Sequence, residues 1–194
     1  MRNIAFVIGH LSHGGAEKQL YLLCKGINRT EYNPIVFCLS KSNIPWGDRI
    51  SSLGIKVIYL ERLSSFDISR ALRLVILFYI YKIDIILSSL HIGNVYSYIA
   101  RLFYFRKSCY ITQIRSKESL MKGLVRWLNI LALRSSDCIV TNSHQLVNFV
   151  KEFFHQSEDK IHVIYNGIEH LETVVKSDNP DVNIGIVGKD TKDK

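Results

Sequence analysis

The sequence has few of the features that mark secreted, membrane-spanning or metal-binding chains. Its longest apolar run, residues 74–81, has only eight residues, whereas a membrane-spanning helix needs about 20. We therefore interpret this run as a helix of the protein core. The first residues lack the pattern of a secretory signal peptide, because a single Arg precedes an apolar run of only five residues. We accordingly expect a cytoplasmic protein.

Cysteine is scarce, and its spacing suggests no pairing. The four cysteines form no C-x-x-C pair, and three of them fall in apolar, strand-like runs. Buried free thiols in a reducing compartment are typical of this arrangement. The seven histidines likewise lack the spacing of metal ligands. We therefore predict neither a metal site nor a resident cofactor.

Acidic residues are in the minority, and the positive charge is unevenly distributed. The formal net charge is +8, and residues 101–134 hold eight Lys or Arg side chains against one acid, Glu118. A local excess of this kind attracts anionic lipids or phosphorylated substrates. No nucleic-acid-binding motif accompanies the charge, so we predict no nucleic-acid partner.

The most informative stretch is residues 4–19, whose pattern predicts a buried strand, a glycine-containing loop and a helix. Gly14 and Gly15 stand at the predicted start of the helix. Free backbone N–H groups and the helix dipole favour a bound phosphate there, and glycine lets a ligand approach the backbone. The loop is neither a Walker A motif nor a G-x-G-x-x-G fingerprint. A tight turn that binds nothing is the alternative interpretation.

Apolar strands and amphipathic helices alternate along residues 1–168, which we predict to form one domain. The strand runs are apolar throughout, as is typical of strands covered on both faces. This alternation predicts an α/β fold with a Rossmann-like, doubly wound parallel sheet. Residues 169–181 are polar and predict a linker. Residues 182–194 contain one more apolar strand, which we interpret as the first strand of a missing carboxy-terminal domain; the alternative is an added edge strand or a frayed tail.

Polar residues follow directly after several predicted strands. Ligands of doubly wound sheets bind beyond the carboxyl ends of the strands, so these residues should share one edge. The substrate-binding candidates, besides the glycine pair, are His91 and Asn94 after the fourth strand, Arg115 after the fifth, and Asn142 and Ser143 after the sixth. Arg115 can clamp a phosphate through two hydrogen bonds. The alternatives are a solvated surface charge for Arg115 and a helix-start residue for His91.

Four segments occur in a fixed order along the chain. They are GGAE at residues 14–17, SDCIVTNS at 136–143, IHVIYNGIE at 161–169 and NIGIVGK at 183–189. Together they resemble the amino-terminal half of a GT-B glycosyltransferase of family 4, a retaining group that uses nucleotide sugars. The resemblance implies two Rossmann-like domains across a cleft, the first binding mainly the acceptor and the second the donor. It also implies that the Gly14–Gly15 amides approach the donor diphosphate and that no metal is required.

The sequence departs from this family pattern in two ways. We expect the carboxy-terminal domain, with its pair of donor-binding glutamates, to be missing, and Arg115 stands where many members have a histidine. We therefore expect Arg115 to contact a ligand rather than transfer a proton, and we assign no catalytic residue. We expect activity, in surface polysaccharide or glycolipid synthesis, only when a carboxy-terminal half is supplied by a longer chain or, in trans, by a partner. The alternatives are a non-catalytic module that binds a phosphorylated glycan or lipid, and a GT-B-like sugar-nucleotide epimerase.

A predicted helix at residues 120–133 carries a basic face. Lys122 and Arg126 are four residues apart and therefore share one side of the helix, with Trp127 near it. A basic face beside an aromatic ring can rest on an anionic membrane. Since the family resemblance also implies lipid-linked acceptors, we expect a peripheral location at the inner membrane face. The alternative is a solvated face on an ordinary packing helix.

Overall fold

The computed structural model describes residues 1–41, 44–61, 67–116 and 123–169. These residues form parallel strands that alternate with helices. The strands are β1 (Arg2–Ile8), β2 (Tyr32–Cys38), β3 (Lys56–Tyr59), β4 (Ile85–Ser89), β5 (Cys109–Ile114), β6 (Cys138–Thr141) and β7 (Ile161–Val163). The α-helices are α1 (Gly15–Gly26), α2 (Trp46–Ser52), α3 (Ile68–Ile80), α4 (Leu90–Leu102), α5 (Gly123–Ser135) and α6 (His144–Phe154).

The strands form one sheet in the order β3-β2-β1-β4-β5-β6-β7, and every neighbouring pair is parallel. The chain runs outward from β1 to β3 and then crosses back to β4 on the other side of β1. This reversal is the switch point at which ligands of doubly wound sheets collect. The predicted Rossmann-like parallel sheet is therefore confirmed.

Both faces of the central strands are buried, which explains why their sequences are apolar throughout. Along β1, Val7 packs into a core with Phe37 and Phe78. The alternate residue Phe6 packs into a second core with Leu20 of α1. The successive residues of a strand point to opposite faces, so each face needs its own apolar set. A third, smaller core joins α5 and α6 to β6 and β7.

The β4–α4 boundary differs from the sequence prediction. The mostly apolar run at residues 83–87 predicts a fourth strand that ends at Leu87. Strand β4 instead continues through Ser88 and Ser89, which pair in register with Thr112 and Gln113 of β5. Serine hydroxyls are tolerated in this buried strand because both donate hydrogen bonds to side-chain oxygens. Helix α4 follows at once, without the predicted polar loop. The predicted strand at 182–187, and the predicted linker beyond residue 169, lie outside the described residues.

Two predictions about burial are corrected. Leu74 and Phe78 of the apolar run are buried, but Ile76 and Ile80 are 57% and 63% exposed, because the sheet and α4 cover only one side of α3. Cys24 and Cys38 are buried as predicted, whereas Cys109 is exposed. Cys109 is the first residue of β5, at the amino end of the strand. Among the described residues, no helix is long and apolar enough to cross a membrane.

Candidate functional site

The start of α4 is aimed at the carboxyl edge of the sheet by a strained junction. Leu90 connects β4 to α4 with a φ of +64°, a left-handed conformation that is rare for a residue of this size. Gly93, one turn on, lies so close to β1 that an added Cβ would be 2.8 Å from the carbonyl oxygen of Val7. Helix α4 therefore begins against the central strand, and its first N–H groups face the edge where ligands are expected.

Asn94 is held rigidly beneath this helix start. Its side-chain oxygen accepts a hydrogen bond from Ser88 (2.7 Å), and its amide nitrogen donates to Asn129 of α5 (3.3 Å). Its backbone oxygen accepts from the hydroxyl of Tyr110 (2.9 Å). Asn94 and Asn129 are 1% and 2% exposed. The network ties α4 and α5 to β4 and β5, and buried amides that are satisfied in this way fix a single geometry.

Arg115 lies immediately after β5 and connects three parts of the edge. Its Nε and Nη2 donate to Oε1 of Gln113 (3.4 and 3.3 Å), and its Nη1 donates to Oδ1 of Asn166 after β7 (2.8 Å). Gln113 is itself fixed by the hydroxyl of Ser89 (2.7 Å). Burial lowers the pKa of Arg115 and the nearby Glu17 carboxylate acts in the opposite direction. The guanidinium stays charged at neutral pH and presents a partly desolvated cation.

A cavity of about 230 Å³ opens between the start of α4 and Arg115. We call it the polar cavity. Its walls are Leu90, His91, Asn94, Gln113, Ile114, Arg115, Ser116 and Asn129. The structure thus brings together three of the predicted binding residues, His91, Asn94 and Arg115. Gln113 and Asn129 were not predicted from the sequence. Asn129 carried a recognisable signal, since it lies with Ala132 and Leu133 on the buried side of α5.

Gln113 and Arg115 also border a second space of about 380 Å³, which we call the apolar groove. Leu22 and Leu23 of α1 form one wall, and Leu87, Ile111 and Val140 of the sheet form its floor. The polar cavity and the apolar groove therefore meet at one cation and one amide. A polar ligand and an apolar one would each contact the same pair of side chains from opposite sides.

Gly14, the first residue of the glycine pair, is in close contact with the carboxylate of Glu17. Glu17, in the first turn of α1, is 2% exposed. Its side chain folds back over Gly14, where an added Cβ would lie 2.0 Å from Oε2, whereas an added Cβ at Gly15 would meet nothing within 4 Å. Both glycines are exposed, and neither lines the polar cavity or the apolar groove. The function of the pair as a phosphate site stays a prediction.

His10 and Glu17 form a pair beside this loop. The Nδ1 of His10 lies 3.0 Å from Oε1 of Glu17. An ionised carboxylate only accepts hydrogen bonds, so Nδ1 carries the proton. The hydrogen bond that His10 donates to Glu17 raises the pKa of His10, burial lowers it, and the Glu17 charge adds to the rise. The first turn of α1 thus holds a buried carboxylate whose side-chain partner is a histidine.

His91 differs from His10 in its surroundings. It is partly buried in the wall of the polar cavity, and this burial lowers its pKa. The imidazole is therefore neutral at pH 7 and can donate one hydrogen bond and accept another. Asn142 and Ser143, the other two predicted residues, are half-buried and line neither the polar cavity nor the apolar groove. Ser143 occupies the cap position of α6 without a side-chain capping bond.

The predicted membrane-facing helix is only partly described. Lys122 lies outside the described residues. Arg126 is packed over the ring of Phe153 in α6, with its guanidinium carbon 4.3 Å from the ring centre. Nearby Trp127 is 57% exposed. In the described part of the chain, no group of three or more His, Cys, Asp or Glu side chains could hold a metal ion.

Known structures share this fold at low sequence identity. Anabaena HepE, solved with UDP-glucose, matches with a TM-score of 0.69 and 16% identity over 87% of this chain and 45% of HepE. The lipopolysaccharide outer core galactosyltransferase WaaB matches with a TM-score of 0.66 and 16% identity, over 86% and 46% of the two chains. The UDP-GlcNAc 2-epimerase of Methanocaldococcus jannaschii matches with 0.54 and 12%, over 84% and 45%. The chain thus spans about half the length of these proteins.

Sequence comparison identifies the family. No curated protein matches the chain significantly. The sequence model of Glycosyltransferase Family 4, however, matches residues 13–170. That span starts just before the glycine pair and includes every residue of the polar cavity. The chain therefore belongs to glycosyltransferase family 4, and its sheet is that of a GT-B glycosyltransferase.

Proposed function

We propose that the chain is the acceptor-side, amino-terminal half of a retaining glycosyltransferase that uses a nucleotide sugar. The observation that carries this proposal is the polar cavity, which places Arg115 opposite the first turn of α4 at the switch point of the sheet. HepE, which has this fold, was solved with UDP-glucose. The proposed acceptor is a glycan or a lipid-linked sugar, in surface polysaccharide or glycolipid synthesis on the cytoplasmic side of the membrane.

The charges at the edge favour the polar cavity over the glycine pair as the phosphate site. The first turn of α1 contains Glu17, whereas the first turn of α4 contains no acidic residue. A carboxylate at a helix start already interacts with the positive end of the helix dipole, and it repels a second anion. The start of α4 has the same dipole without that carboxylate, and Arg115 adds a cation. The donor phosphates would therefore be stabilised by α4 and Arg115, with no metal required.

His91 fits the acceptor rather than the phosphates. A neutral imidazole in the cavity wall can hydrogen-bond a sugar hydroxyl in either direction. Asn94 and Asn129 form a fixed polar floor below it. In this proposal the donor sugar is held by a carboxy-terminal domain that faces the same edge. The isolated chain should then bind ligands weakly and transfer no sugar until such a domain is supplied.

The binding test is titration of the chain with UDP-glucose and with UDP, followed by backbone amide NMR shifts. We expect the largest shifts at the start of α4 and at Arg115. Arg115→Ala should weaken binding about 10- to 100-fold, because a charged hydrogen bond contributes about 1.5–3 kcal/mol. Arg134→Ala, which removes an exposed charge elsewhere, is the matched control. Shifts confined to the glycine pair, or no loss in Arg115→Ala, would contradict the assignment.

A transfer assay separates this proposal from the two alternatives. The chain is mixed with a carboxy-terminal donor half of a family 4 enzyme and supplied with nucleotide sugars and a lipid-linked acceptor. Transfer to the acceptor supports the enzyme. Tight binding of a phosphorylated glycan with no transfer supports the binding module. Arg115 in the polar cavity could bind the phosphate of that glycan as well. A changed sugar configuration on the nucleotide itself would identify an epimerase, the activity named for the M. jannaschii neighbour.

A further inference from the structure

Helix α3 exposes an apolar side to solvent. Its five exposed residues are all apolar or aromatic, namely Ile68, Leu72, Ile76, Tyr79 and Ile80, and they are 44–63% exposed. Arg70 of the same helix is only 4% exposed, with its guanidinium over the ring of Tyr96. A surface helix of a globular protein has the opposite pattern, with polar residues outside. The composition of the outer side of α3 therefore favours contact with an apolar environment.

The last residue of α4 and the segment after this helix continue the apolar surface. Leu102, Phe103 and Phe105 are 53%, 52% and 85% exposed. Tyr79 at the end of α3 holds the segment in place, because its hydroxyl donates to the Phe103 carbonyl (3.2 Å) and accepts from the Phe105 amide (2.9 Å). We define the α3 surface as the five exposed residues of α3 together with these three. A contiguous exposed apolar patch of this many residues marks an interaction site.

Basic residues border the α3 surface at its aromatic end. Arg106 and Lys107 follow Phe105 directly, Lys82 follows the helix, and all three are exposed. Asp84 is bound by Arg106 at 3.0 Å, so Lys82 and Lys107 add net positive charge there. Helix α3 contains no acidic residue. An apolar face with aromatic side chains and a basic border is the composition of a segment that lies in the interface of an anionic bilayer.

We propose that the α3 surface binds an anionic lipid bilayer as a peripheral, non-spanning anchor. A second copy of the chain is a poorer occupant, because in a two-fold contact through this patch the partner's helix α3 would offer no acidic residue to the basic border. The α5 face is also a poorer anchor, since Arg126 is packed over Phe153. This proposal does not depend on the glycosyltransferase reaction and is tested without any sugar.

The proposed contact suits the position of the polar cavity. Helix α3 lies beside α4 on one side of the sheet, and the start of α4 forms a wall of the polar cavity. A crossover helix begins at the carboxyl edge of the sheet, so Ile68 lies toward the cavity edge and Ile80 toward the opposite one. A bilayer along α3 would therefore run past the cavity edge without covering the cavity.

The test is co-sedimentation of the full chain with phosphatidylglycerol vesicles and with phosphatidylcholine vesicles. We expect binding to the anionic vesicles that is weakened by salt. The variant Ile76→Gln/Phe105→Ser should bind them at least tenfold more weakly, since each lost side chain removes apolar area from the bilayer contact. The variant Leu124→Gln/Trp127→Ser, which removes a comparably exposed pair on α5, should bind like the wild type.

Several results would overturn the proposal. They are an absence of wild-type binding to anionic vesicles, undiminished binding by Ile76→Gln/Phe105→Ser, or a loss confined to the α5 variant. Sedimentation velocity without lipid is the second measurement. A wild-type dimer that this α3 variant converts to a monomer would assign the surface to a second copy instead. Equal thermal unfolding midpoints for both variants would show that a binding difference is not a folding defect.

Discussion

The close contact between Gly14 and Glu17 leads to a sharp prediction about two adjacent glycines. An alanine Cβ at Gly14 would lie 2.0 Å from Oε2 and 2.8 Å from Cδ of Glu17. Gly14 has an extended backbone that any residue can adopt, so the cost of Gly14→Ala comes only from this collision. The buried carboxylate would have to rotate away and lose its 3.0 Å contact with His10. Loss of a charged hydrogen bond costs about 1.5–3 kcal/mol.

Gly15→Ala is the matched control, because nothing lies within 4 Å of the added Cβ. Alanine in place of glycine favours the helix by up to about 1 kcal/mol, so Gly15→Ala should be neutral or stabilising. For a domain of this size, each kcal/mol shifts the thermal midpoint by roughly 2–4 °C. Gly14→Ala should therefore unfold several degrees below the wild type, and Gly15→Ala at or above it.

A double-mutant cycle tests the cause of the loss. Glu17→Ala removes the atoms that the new Cβ would strike, so Gly14→Ala should cost little in that background. Thermal and urea unfolding followed by circular dichroism give the four free energies of unfolding. Equal effects of the two glycine substitutions would refute the proposed collision. So would a full additional loss from Gly14→Ala when Glu17 is already alanine.

Two further predictions concern other contacts of the same edge. Gly93→Ala should lower the free energy of unfolding by about 1–3 kcal/mol in urea titrations. Its Cβ would lie 2.8 Å from the backbone oxygen of Val7, which cannot rotate away. Gly26→Ala is the control and should not destabilise the protein, because nothing lies within 4 Å of its added Cβ. The raised pKa of His10 predicts a stabilisation that is complete below the ordinary value of about 6.5 and is lost as pH rises through the raised value. Urea midpoints measured across this range should show the decline in the wild type, and Glu17→Gln should abolish it.

Most of the fold could be predicted because it depends on repeated local patterns. Each strand is an apolar run bounded by polar residues, and each crossover helix has its own apolar side, so the parallel α/β sheet follows from periodicity alone. The end of β4 could not be placed, because Ser88 and Ser89 are polar and their role depends on partners in α4 and β5. The exposed side of α3 was missed for a similar reason. An apolar run shows that burial is favourable but does not show what covers each side.

The sequence predicted where in the fold the candidate site lies. It did not predict which side chains contact one another there. The carboxyl edge of the sheet was correctly expected to gather His91, Asn94 and Arg115, since parallel strands end together. The folding back of Glu17 over Gly14 depends on a side-chain rotamer that sequence spacing does not specify. Asn129 joins the site through the packing of α5, which is distant along the chain and becomes near only in the fold.

Arg115 connects the candidate ligand site to the segment after β7. Its Nε and Nη2 are fixed on Gln113, while Nη1 is bound to Asn166 at 2.8 Å. The neighbouring Gly167 is in turn bound to Gln19 of α1 through both its N–H and its carbonyl. A neutral amide oxygen is a weaker partner for guanidinium than a phosphate. An anion that replaced Asn166 on Nη1 would therefore break this link to the segment after β7. Binding of an anion at Arg115 would then change the contacts of the segment that follows β7.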